Sequence, residues 1–201
     1  MRMTVSSISV GFAAVIALLL PLTAEAQKEA GPTPGRYTDW HDVDEVTIVQ
    51  SFQRSSYGRV VVQRLDTSNA PLPEKSDNSY AAVKAALAGS TDAFAEGLRG
   101  KLPGVQVQTG EGGNNALLVR ARIMKSDPGS QAARYWGGFG AGAAKVGITG
   151  EIVDGRTNKV LVRFTQERRS GFGLFGGGYR ELLDRSMRQI GGDVAGLISA
   201  F

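Results

Sequence analysis

Hydrophobic and polar positions along this chain alternate with two different periods, and the periods predict its elements. Residues 45–50 (EVTIVQ) and 58–65 (GRVVVQRL) are rich in β-branched side chains and read as strands, with a turn at 54–58 between them. A loop over 66–77, stiffened by Pro71 and Pro73, follows. Tyr80, Val83, Leu87, Phe94 and Leu98 then fall at helical spacing behind the capping oxygens of Ser76, Asp77 and Asn78. The spacing predicts a helix over 79–101, ended by Pro103-Gly104. Period two returns at 105–108 and at 117–123, where Leu117, Val119, Ala121 and Ile123 share one face. It continues at 145–154 and, after a hairpin loop over 154–158, at 160–168. Leu183, Met187, Ile190, Val194, Leu197 and Phe201 recur at steps of four and three, which predicts an amphipathic helix over 179–200.

Two apolar-striped helices need a surface to cover, and a sheet with one apolar face provides it. The predicted fold class is α+β: a two-layer sandwich in which a mostly antiparallel sheet of about five strands carries both amphipathic helices on one face. The other face then presents Arg120, Arg122, Lys145, Glu151, Arg163 and Glu167, polar with a basic bias.

The first residues follow a different logic. Arg2 precedes an apolar run over 10–20, Pro21 breaks it, and Ala24-Glu25-Ala26 offers the small residues that signal peptidase needs. This predicts a signal peptide over 1–26, cleaved before Gln27. A membrane anchor is the alternative, but eleven apolar residues make ~16 Å of helix against a hydrocarbon core of ~30 Å. A Pro/Gly-rich flexible linker over 27–40 and a single α+β domain over 41–201 complete the expected organisation. No later segment has the ~20 apolar residues of a membrane span. The expected location is the bacterial periplasm, with outer-membrane association or release as the alternatives.

Composition narrows the chemistry. Cys is absent, which excludes disulfides, thiolate metal sites, a thiol nucleophile and an acylated-cysteine anchor. The single His, His41, excludes a multi-His zinc centre. A net charge of +4 falls short of a nucleic-acid-binding excess. His41 stands beside Asp39, Asp42, Asp44 and Glu45, so a metal site, or a hydrolase using His41 with Asp42 or Asp44, can be drawn. Neighbouring loop residues do not define such a geometry, and a surface pair is the plainer reading. No catalytic, cofactor-binding or metal-binding residue is assigned, and the chain reads as a non-enzyme.

Glycine, at 27 residues, is concentrated in two segments. Gly138-Phe139-Gly140-Ala141-Gly142 lacks the third glycine in register, since position 143 is Ala, and the following helix of a dinucleotide loop. Its glycines serve a close backbone crossing, or Arg134, Tyr135, Trp136 and Phe139 anchor a subunit or partner contact. In 170–178 (SGFGLFGGG), Phe172, Leu174 and Phe175 either plug a sheet end or form an apolar tip for a partner or a peripheral membrane contact. Arg168, Arg169, Arg180, Arg185 and Arg188 make a basic patch, a solvated face or a contact for anionic lipid, polysaccharide or an acidic partner.

The run Gly129-Ser130-Gln131-Ala132-Ala133-Arg134-Tyr135-Trp136, the glycines to Gly142, and the turn Asp154-Gly155-Arg156-Thr157-Asn158 resemble a bacterial envelope family catalogued as domain of unknown function 4410. The resemblance implies a small α+β domain of the kind found in envelope lipoproteins, similar in layout to the periplasmic domain of the curli secretion lipoprotein. Many relatives carry a lipid-modified cysteine after the signal peptide, and this chain has none. No catalytic residues are carried over. The functional expectation is a non-enzymatic envelope protein that self-associates or assembles with other envelope proteins. The alternative is a periplasmic module binding a small molecule, glycan or lipid.

Overall fold

The computed structural model describes residues 31–127, 145–169 and 179–201. The expected signal peptide and the candidate contact residues Arg134, Tyr135, Trp136, Phe139, Phe172 and Phe175 lie outside the described residues.

In chain order the elements are β1 (Gly35–Trp40), β2 (Val43–Ile48), β3 (Arg59–Val62), α1 (Tyr80–Lys101), β4 (Gln106–Thr109), β5 (Ala116–Asp127), β6 (Lys145–Asp154), β7 (Val160–Arg169) and α2 (Tyr179–Ser199). The strands form one sheet in the order β1-β2-β7-β6-β5-β3-β4. Ladders from β1 through to β5 are antiparallel, while β3 runs parallel to both β5 and β4. The α+β class holds. The sheet, however, has seven strands rather than about five, and it is mixed rather than mostly antiparallel.

Both corrections have physical causes. β1 occupies residues expected in the linker, and its side chains are exposed or half-buried throughout, so no alternation betrays it. It is closed onto β2 by His41 and Asp42, whose φ angles of 51° and 64° are left-handed. Trp40 and Val43 are register partners, so the hairpin loop is two residues long. Such loops favour Asn-Gly, and His-Asp gives no comparable signal. The parallel pairings follow from α1 acting as the crossover between β3 and β4, since parallel neighbours need a long connection.

One core lies between sheet and helices. Val46, Ile48, Val60, Val62, Leu117, Val119, Ile123, Ile148, Ile152, Val162 and Phe164 meet Val83, Phe94, Leu98, Leu183, Met187, Ile190, Val194 and Leu197. The helices cross closely because both carry glycine at the contact: a side chain at Gly97 would run into the Arg188 carbonyl, and one at Gly191 into the Phe94 carbonyl. Beside β1 the core is closed by Phe201, stacked on Phe52 at 4.2 Å and edge-on to Trp40 at 5.9 Å. A smaller cluster of Val61, Ala116, Leu118 and Val153 lies on the opposite sheet face.

Candidate interaction surface

Register sets the site. Asp127 pairs with Lys145 and Lys145 with Arg169, so the ends of β5, β6 and β7 lie side by side. Asp127 and Lys145, which flank segment 128–144, and Arg169, which precedes segment 170–178, therefore share this end. The His41–Asp42 turn stands at this end as well, because β2 is antiparallel to β7.

A polar network fastens the end to α2. Arg168 grips Asp193 with a two-pronged fork, Nε to Oδ2 at 2.8 Å and Nη2 to Oδ1 at 2.6 Å. Gln166, almost fully buried, donates to Asp193 Oδ2 at 2.9 Å and to the Asp42 carbonyl at 3.0 Å, and accepts from the Asp44 backbone N–H at 2.8 Å. Asp44 in turn accepts from the Glu167 N–H at 2.7 Å. Burial pushes the Asp193 carboxyl above the ordinary aspartate range, outweighing the opposing pull of Arg168 and Gln166.

On the outer side Glu167 bridges Lys125 at 2.5 Å and Arg169 at 3.4 Å. The hydrogen bond from Lys125 holds the Glu167 carboxyl below its usual value. A groove of about 530 Å³ opens alongside, lined by Pro71, Leu72, Pro73, Asp77, Lys125 and Lys145 among others. Leu72 and Met124 are among the few large apolar side chains exposed among the described residues. The groove's lining thus sets the apolar side chains of residues 71–73 beside the ammonium groups of Lys125 and Lys145.

His41 is exposed at the turn and meets the Trp40 ring edge-on at 4.5 Å. Among the described residues no group of His, Asp and Glu could hold a metal ion. Of the five arginines expected to form a basic patch near the last helix, Arg168 is held by Asp193, Arg169 by Glu167, and Arg188 by Glu96 at 2.8 Å across the helix crossing. The network around Asp193 was missed from sequence, although an acid flanking the apolar stripe between Ile190 and Val194 was its available signal. Among the described residues no helix is long and apolar enough to cross a membrane.

These features define a two-layer α+β protein with a mixed seven-stranded sheet and two helices. The chain belongs to the family described as Domain of unknown function (DUF4410), whose model matches residues 60–173, from within β3 to just beyond β7. Among solved structures it is similar to the PelC dodecamer from Paraburkholderia phytofirmans, at 14% identity over 74% of this chain and 94% of that one, with a TM-score of 0.46. It is also similar to a Xanthomonas campestris protein of the DUF330 family model, at 10% identity over 75% of this chain and 91% of that one, with a TM-score of 0.41. A neuraminyllactose-binding hemagglutinin homolog from Helicobacter pylori is similar at 10% identity over 73% of this chain and 84% of that one, with a TM-score of 0.37. No curated protein matches the chain.

Proposed function

We propose that this chain is a non-enzymatic protein exported to the bacterial periplasm, where it assembles with copies of itself or with other envelope proteins. The reading rests on one observation: strand register brings the anchor points of both glycine- and aromatic-rich segments to one end of the sheet, beside the groove at Leu72 and Lys145. The signal-peptide pattern at 10–26 supports export. Contacts are carried by that end, with Arg134, Tyr135, Trp136, Phe139, Phe172 and Phe175 as the anchors.

Light scattering on the purified chain from Gln27 to Phe201, at low and high salt, tests it. A defined oligomer that survives salt is expected, and Arg134→Ala with Trp136→Ala should weaken it by about tenfold or more. Its melting temperature should stay nearly unchanged. A monomer that captures no envelope protein on crosslinking in cells sinks the reading, as does a large stability loss with association intact.

A further inference from the structure

The sheet face turned away from the helices carries an ordered row. Arg36 of β1, Thr47 of β2, Arg163 of β7, Glu151 of β6 and Arg120 of β5 are each the register partner of the next. A second row beside it runs Thr38, Glu45, Thr165, Thr149 and Arg122. Neighbouring strands lie about 4.8 Å apart, so arginines on every second strand recur at about 10 Å. That is the length of one disaccharide in an extended sugar chain.

The charge on the first row is available. Arg36 is exposed, and the Arg163 side chain is 56% exposed, bridged to Glu151 at 3.1 Å. A surface pair of this kind is worth little in water, so a two-pronged carboxylate from a ligand can replace it. Arg120 donates to the neutral oxygens of Gln63 and Asn158, each at 2.7 Å, and its register partner Glu151 is the one acid of the row. The row therefore holds three cations to one acid, with the Thr47 hydroxyl among them and those of Thr149 and Thr165 in the row beside it. The row crosses five neighbouring strands of an open sheet face, as suits a polymer laid across it rather than a small molecule enclosed by a pocket.

We propose that this face binds an extended acidic polysaccharide carrying one carboxylate per disaccharide. The sugar chain crosses the strands at right angles. Arg36, Arg163 and Arg120 each take a carboxylate, and Thr47, Thr149 and Thr165 meet ring hydroxyls. Binding here and assembly through the sheet end use different residues, so either stands if the other fails.

Calorimetric titration of the purified protein with a hyaluronate octasaccharide, which has one carboxylate per disaccharide, tests the proposal at low ionic strength. Arg36→Gln/Arg120→Gln/Arg163→Gln should lower affinity by about tenfold or more, whereas Lys75→Gln/Lys84→Gln/Arg185→Gln, with the same change in net charge, should stay within about twofold. Because Arg120 also holds Gln63 and Asn158, the Arg36→Gln/Arg163→Gln pair at exposed positions is the second variant, and it too must lose affinity. A dextran octasaccharide should not bind. The proposal is overturned if the wild type does not bind hyaluronate, if dextran binds equally, or if both charge variants lose affinity alike.

Discussion

Tyr57 shows how much one hydroxyl holds at the far end of the sheet. It donates to Asp154 Oδ2 at 3.2 Å, and burial followed by the Asp154 charge raises its pKa to about 12. Asp154 also accepts from the backbone N–H groups of Arg156 and Thr157, at 2.8 and 3.0 Å, which ties off the β6–β7 turn. Tyr57→Phe removes one hydrogen bond from a carboxylate that keeps two others, so a loss of about 1 kcal/mol is expected near pH 8. The folded pKa lies above the ordinary value of 10, so the phenol's contribution is complete below pH 10 and is lost as pH rises towards about 12. Urea unfolding of wild type and variant should therefore converge across that alkaline window. A difference that stays constant through it would show that the hydroxyl is not the titrating group.

Between the helices, the contact is decided by what is missing. Gly191 of α2 lies against the Phe94 carbonyl with no room for a methyl group, whereas Gly89 of α1 faces open space. Gly191→Ala should cost about 2–3 kcal/mol by forcing the helices apart. Gly89→Ala should stabilise by about 0.5–1 kcal/mol, the usual gain of alanine over glycine in a helix. Thermal melts of the two variants should move in opposite directions, and a shared direction would disprove the crossing geometry. Most elements were legible beforehand: α1, β6 and α2 fall where Val83–Leu98, Val146–Ile152 and Leu183–Leu197 place them, because each buries one periodic face. β1 was not, because an edge strand that buries little carries no period. Nor could spacing tell that Gly97 meets the Arg188 backbone and Gly191 the Phe94 backbone, since that depends on how two elements cross.

For the whole molecule, acid is the informative stress. Asp66, Asp77, Asp154 and Glu167 sit below their ordinary values, chiefly through hydrogen bonds they accept, while Asp193 alone among the shifted carboxyls sits above. The lowered groups stabilise the fold above their unfolded values, 3.8 for aspartate and 4.5 for glutamate, and lose that contribution as pH falls. Asp193 has the opposite sign and gains as pH falls. Stability should be nearly flat from pH 7 to about 5 and should fall below about 4.5. Asp193→Asn should steepen the acid decline, since it removes the opposing contribution; urea midpoints at a series of pH values decide it, and a shallower decline would reverse the assignment. The candidate interaction surface was only half legible in this chain. Aromatic and glycine content marked two segments, but that they leave from one sheet end is a property of register, visible only once β5, β6 and β7 are paired. The same pairing has a temporal side. The Asp44 backbone meets Gln166 across 122 residues of sequence, and β2 has no sheet to join until β7 exists. A chain growing from its amino terminus therefore carries the β1–β2 hairpin unattached until almost all of it has been made. Closure on β7 is a late, high-contact-order step in folding, slow for topological reasons rather than for want of stability.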